Sequence, residues 1–167
     1  LGSTMLKIAH TICDHIIVAD FSDAKLAEAK KRGAKYTINV GTEDFYAKVL
    51  EYTHGRGTTV SIDCASRKNS LMMLLQATGN AGRVILLGLT KASMEINPFL
   101  ITAKELDVRG SRLQNHMFGK AIEMINEGTL DLTNSISHTF PLTKAQEAFD
   151  FIDSHNPLIR KIVLTFD

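Results

Sequence analysis

The sequence predicts an α/β protein, a Rossmann-type doubly wound parallel sheet that lacks its first strand. Three observations carry this. Short apolar runs alternate with helix-length segments from one end of the chain to the other. An acid, Asp20, closes the first of those runs. The series opens on a helical pattern, where a βαβ series should open on a strand.

Residues 3–13 put Met5, Ile8, Ala9 and Ile12 on one helical face. Ile16-Ile17-Val18-Ala19 then run without a polar break into Asp20, as in a strand covered on both faces. Ser22 or Asp23 caps a helix that reaches Arg32, and Gly33 suits the left-handed position after it. A strand over 36–40 precedes a helix over 42–53 with Phe45, Val49 and Leu50 inward. A strand over 58–64, a helix over 69–78 and a strand over 83–87 follow, the last ended by Gly88. Residues 94–97 form a short extended piece before Pro98, and 107–113 a further strand. A helix over 116–126 is closed by Gly128. A helix over 144–153 and a strand over 161–166 complete the series. The three prolines, Pro98, Pro141 and Pro157, all fall in connections.

The first strand of a doubly wound sheet lies at its centre. Without it two sheet edges stay unpaired, which is costly. The chain therefore reads as a fragment or as a fold whose first strand comes from another segment; the alternative is a different strand order with no gap.

Composition excludes several classes. The chain has 167 residues, 44% hydrophobic and 22% charged, enough to fill a core. A net charge of +1 gives no reason to expect nucleic acid or an anionic membrane as partner. No apolar run approaches the roughly 18 residues of a membrane span, and nothing at the start reads as a leader. Cys13 and Cys64 are too few for a disulfide framework, so the expected setting is cytoplasmic. The cysteines and the histidines at 10, 15, 54, 116, 138 and 155 show no metal-ligand spacing. No nucleophile elbow occurs, and no proton-transfer residue stands out. Cys64 reads as strand packing, Met72-Met73 as helix core, and Lys30-Lys31-Arg32 as a solvated helix end.

Asp20 is the sharpest residue. An acid ending the second strand of such a sheet can accept hydrogen bonds from both hydroxyls of an adenosine ribose and repels a 2′-phosphate. That favours NAD over NADP. The bland alternative is a helix cap; methyltransferases also place an acid there. Lys25, at the start of the next helix, is within reach of the same ribose. Gly2 suits the last glycine of a phosphate-binding turn, with the helix N–H groups behind it. The groups around Leu87, Gly88 and Leu89 lie where strand ends line a ligand crevice, or form an ordinary turn.

These residues in this order resemble the C-terminal part of the medium-chain, zinc-dependent alcohol and polyol dehydrogenases, sorbitol- and threonine-dehydrogenase-like branches above all. The similarity rests on 16–20 with 23–34, on Val60-Ser61-Ile62-Asp63-Cys64, on 82–89, and on Ser137-His138-Thr139-Phe140-Pro141-Leu142 with 145–149. It implies an NAD-binding Rossmann domain over 1–113 and a segment over 114–167 that packs back on a catalytic domain. It implies that Asp20 and Lys25 hold the ribose, that Gly2 is the third fingerprint glycine, and that Ala65, Ser66 and Arg67 flank the adenine. Main-chain groups of Leu87, Leu89, Ser111 and Leu113 would face the nicotinamide, and Lys161 would reach the pyrophosphate.

One departure is local: the family's Thr-Gly or Ser-Gly after the cysteine is Ala65-Ser66 here. A larger one is that the family's zinc ligands belong to an N-terminal domain outside this chain. The expectation is the NAD-binding portion of an oxidoreductase acting on an alcohol or polyol, inactive alone, with zinc held elsewhere, in a dimer or tetramer. Residues 94–97 would contribute to that contact. The alternatives are a stand-alone nucleotide-binding module and a structural dimerisation remnant.

Overall fold

The computed structural model describes residues 1–154, 156 and 159–166. His155 and Pro157 lie outside them. Helix α1 (Gly2–His10) comes first. Its buried anchor is Leu6, packed with Ala29 and Ala34 and flanked by Ile16 and Val18. The expected face holds only in part. Met5, Ile8 and Ala9 are half-buried, whereas Ile12 lies beyond the helix and is 86% exposed. The helix stops early because the Thr11 hydroxyl donates to the Ile8 carbonyl at 2.8 Å and competes with the next backbone turn.

Strand β1 (Ile17–Asp20) leads into α2 (Asp23–Lys31) and β2 (Tyr36–Asn39). β1 and β2 pair in parallel, with Asp20 opposite Asn39. Ser22 caps α2 by accepting from the Lys25 N–H at 3.4 Å. Gly33 takes φ +102°, and a Cβ there would sit 2.8 Å from the His10 ring, so glycine is required twice over. Helix α3 (Phe45–Tyr52) starts three residues later than the sequence suggests. Asp44 is the cap, its carboxylate accepting from the Ala47 N–H at 3.0 Å.

A second sheet contains β3 (Thr58–Asp63), β4 (Thr78–Leu86) and β5 (Asp107–Gly110), all parallel, in the order β3-β4-β5. Helix α4 (Ser70–Ala77) joins the first two strands and α5 (Phe99–Ala103) precedes the third. β4 begins five residues before the expected position. Thr78 pairs with Thr58, and the register then shifts before Val60 meets Arg83. Hydroxyls pin this corner: Thr58 to Ser61 and Ser61 to Thr78 at 2.7 Å each, and Thr78 to the Leu74 carbonyl at 2.7 Å. β5 ends at Gly110, short of the expected 113. The Ser111 N–H still reaches the Leu86 carbonyl at 2.9 Å, but Leu113 turns to φ +56° and is 87% exposed.

Helix α6 (Phe118–Asn126) starts at 118, not 116. Strand β6 (His138–Pro141) and β7 (Ile162–Thr165) pair in parallel as a third sheet around α7 (Ala145–Asp153). The α5 and β6 segments were not expected. α5 is one turn long, too short to show a period. β6 has no alternating pattern and forms because β7, distant in sequence, supplies its partner. Residues 94–97 form no regular element.

Among the described residues β1 pairs only with β2, and β3 only with β4. The order β2-β1 and β3-β4-β5 is that of a doubly wound sheet left open between β1 and β3. Helices span the opening. Ile38 of β2, Val49 of α3 and Ala77 of α4 form one fully buried cluster, with Ile17 packed on it. Leu75, Val84 and Leu106 form the core of the second sheet.

Candidate dinucleotide site

Asp20 ends β1 on the opening, half-buried. Its Oδ1 accepts from the Ser22 N–H at 3.0 Å. Its Oδ2 has no hydrogen-bond partner among the described residues. The carboxylate is thus oriented by one oxygen and open through the other, so a diol hydroxyl finds an aimed acceptor. Asp20 steadies the turn into α2, but the cap itself is Ser22. Lys25 stands exposed on the first turn of α2.

Asp63 ends β3 in the corresponding way and organises the far side of the opening. It is 3% exposed. Its Oδ1 accepts from the N–H groups of Ala65 at 3.0 Å and Ser66 at 2.8 Å, and its Oδ2 from the Ser70 hydroxyl at 2.6 Å. Its carbonyl accepts from the N–H groups of Leu87 at 2.9 Å and Gly88 at 3.0 Å. One residue therefore ties the loop after β3 to the loop after β4. The sequence reading missed it as a site residue. The available signal was an acid at a strand end followed by two small residues and a serine seven positions on, an Asx-turn pattern.

Ala65, Ser66, Leu87 and Gly88 are accordingly brought together. A Cβ on Gly88 would lie 2.9 Å from the Ser66 Cβ and 3.0 Å from the Ser66 nitrogen, so only glycine fits this approach. Arg67 and Leu89 flank the pair in the open. Gly2 joins the same place: a Cβ on it would touch Cys64 at 3.9 Å, which sets the N-terminus of α1 beside the β3 loop. The first-turn N–H groups of a helix have no partner within it and suit an anionic group. Burial pushes the Cys64 thiol up. Ser111 is held against the end of β4, whereas Leu113 points away from any packing. Lys161 belongs to the C-terminal segment of the chain. It precedes β7, its carbonyl accepts from the Ser137 N–H at 2.9 Å, and its side chain is exposed.

Among the described residues no group of three or more His, Cys, Asp or Glu side chains could hold a metal ion, so the donor set for zinc does not fit here. No helix is long and apolar enough to cross a membrane.

The comparisons with known proteins agree with this fold. The family model for zinc-binding dehydrogenases matches residues 1–127. Rat sorbitol dehydrogenase is 29% identical over 153 residues, 90% of this chain and 43% of that protein. The erythritol/L-threitol dehydrogenase of Mycolicibacterium smegmatis is 31% identical over 140 residues, 83% of this chain and 39% of that one. An alcohol dehydrogenase from Escherichia coli CFT073, solved with NADH, superposes with a TM-score of 0.91 at 28% identity, over 99% of this chain and 49% of its own. The 2R,3R-butanediol dehydrogenase of Bacillus subtilis, at 20% identity and a TM-score of 0.91, shares the fold. The chain spans under half the length of each of these relatives. With its Rossmann-type strand order and a family match over residues 1–127, the chain belongs to the zinc-binding dehydrogenase family.

Proposed function

We propose that this chain forms the NAD-binding portion of a dehydrogenase that moves hydride between an alcohol or polyol and the nicotinamide ring. The observation that carries this reading is Asp20: a carboxylate at the carboxyl end of β1, oriented by the Ser22 N–H and open at Oδ2. Bound NAD would supply the hydride-accepting ring. The residues of this chain hold the rest of the molecule. Asp20 accepts from the ribose diol, with Lys25 beside it. The α1 N-terminus at Gly2 receives the pyrophosphate, and exposed Lys161 is assigned to the same group. The Asp63-tied loops carry Ala65, Ser66 and Arg67 on the adenine side. The groups of Leu87, Gly88, Leu89, Ser111 and Leu113 are assigned to the nicotinamide side. No step through zinc is derived, because these residues offer no site for it.

The division into 1–113 and 114–167 belongs to the same proposal. Phe118, Ile122 and Ile125 make an exposed apolar stripe on α6, and Phe149 and Ile152 are exposed on α7. Such faces suit packing against a catalytic domain. The chain alone is then inactive, and the intact enzyme is a homo-dimer or tetramer. Titration calorimetry of the chain with NADH, NADPH and ADP-ribose tests the reading. Micromolar NADH and ADP-ribose binding with NADPH much weaker is expected, and Asp20→Asn should narrow the gap. Equal affinity for NADPH, or no binding of any of the three, overturns it.

A further inference from the structure

A second cleft opens where α1, α2 and the C-terminal segment meet. Its volume is about 590 Å³, enough for a small organic molecule. None of the residues assigned to the dinucleotide lines it. It lies toward the far end of α1: His10 is on its wall, roughly 12 Å along the helix axis from Gly2 at about 1.5 Å per residue.

The cleft is built of charge. Among the described residues Lys7, Lys31, Arg32 and Arg160 line it against two carboxylates, Glu28 and Asp131. That excess of positive charge is larger than the net charge of the whole chain, +1. Two of the cations are fixed. Arg32 donates through Nε and Nη2 to one oxygen of Glu28, at 2.9 and 2.7 Å, and its side chain is only 13% exposed. Lys7 donates to the Asp131 carbonyl at 2.7 Å. The other two, Lys31 and Arg160, make no side-chain hydrogen bond or ion pair among the described residues. The hydrogen bond from Arg32 holds the Glu28 carboxyl below its ordinary range, and the charges of Lys31 and Arg160 add to this, so three cations converge on one place. A cation in the last turn of α2 suits the helix dipole, which accounts for Lys31. It does not account for Arg160, which arrives from the C-terminal segment. Two acceptors are also unengaged: Glu28 Oε2 and Asp131 Oδ2 have no hydrogen-bond partner among the described residues.

We propose that this cleft is a second ligand site, which binds the phosphate monoester of a small polyhydroxyl compound. A phosphate monoester is close to a dianion at neutral pH and matches the excess of cations over carboxylates. Lys31 and Arg160 are the free donors for its oxygens, and a guanidinium can bind two of them in parallel. The open oxygens of Glu28 and Asp131 repel phosphate but accept from hydroxyls, so they select what the phosphate is attached to. The proposal does not rest on the NAD reading.

Titration calorimetry of the chain with glucose 6-phosphate, inorganic phosphate and glucose tests it, with and without saturating NADH. Glucose 6-phosphate should bind roughly 10-fold more tightly than either control, because each control lacks one half of the recognised chemistry. Its affinity should fall as salt is raised and should not change with NADH. Lys31→Gln and Arg160→Gln should each weaken it roughly 3–10-fold. Tm should stay within about 1 °C of wild type in both, since neither side chain has a partner in the fold. Absence of glucose 6-phosphate binding in the wild-type chain, or binding that neither substitution weakens, overturns the proposal. Inorganic phosphate that binds as tightly overturns the role given to the hydroxyls. Displacement by NADH overturns the placement outside the dinucleotide site.

Discussion

Lys104 closes the carboxyl end of α4 with one ammonium group. Its Nζ donates to the carbonyls of Leu75 at 3.2 Å, Gln76 at 2.6 Å and Thr78 at 2.9 Å. These lie at the helix terminus, where carbonyls have no helical partner and a cation is favoured. All three ammonium protons are used. Lys104→Met keeps the apolar stem and removes the head. Hydrogen bonds to a charged group contribute about 1.5–3 kcal/mol each when taken singly. Three would sum to about 4–9 kcal/mol, but two effects reduce that. The cleft bounded by Gln76, Thr78, Gly79, Asn80 and Lys104 is open to water, which can replace part of the pairing. The variant also no longer removes an ammonium from solvent on folding. A net loss of about 2–3 kcal/mol remains, which in a chain of this size lowers Tm by roughly 4–12 °C. Urea unfolding of wild type and Lys104→Met measures it directly. A loss below about 0.5 kcal/mol would refute the reasoning and show that water caps α4 as well as the lysine does.

Asp63→Ala should cost about 2–4 kcal/mol, because it strips partners from the N–H groups of Ala65 and Ser66 and from the Ser70 hydroxyl; it should also abolish NADH binding, and urea curves with calorimetry report both. Acid should destabilise the fold through paired carboxylates. The hydrogen bonds from Arg109 and Arg83 hold Asp107 below its ordinary range, and that from Arg32 does the same for Glu28. A lowered folded-state pKa gives stability that is present above the ordinary values of 3.8 and 4.5 and is lost as pH falls through the folded ones. The urea midpoint should therefore fall between pH 5 and pH 3, less steeply in Asp107→Asn; equal slopes in the two proteins would count against the assignment.

Much of the fold was legible because its signals are local. The strand at 17–20 is marked by an unbroken apolar run, α2 by Ser22 before it and Gly33 after it, and β3 by its apolar residues ending in Asp63-Cys64. Asp20 was legible for the same reason, since an acid at the end of such a strand is a local pattern. Errors fell where distant residues decide. β4 starts at Thr78 because Gly79, lacking a Cβ, lets its segment lie against the Arg56 carbonyl, close enough for Thr78 to pair with Thr58 ahead of the expected strand. β6 exists because Ile162–Thr165 lies beside it.

The chain order of apolar runs, caps and glycines was enough to determine an α/β fold and to single out the acid that ends β1. Each of those properties depends on a residue and its near neighbours. The site as a constellation was decided in three dimensions. Asp63 becomes its hub only because the β3 and β4 ends converge on one carboxylate and one carbonyl. Ser66 lies against Gly88 only because a glycine leaves room beside it. Hydrogen bonds and close approaches between residues separated by a whole helix leave no trace in spacing, so only the packed structure shows them.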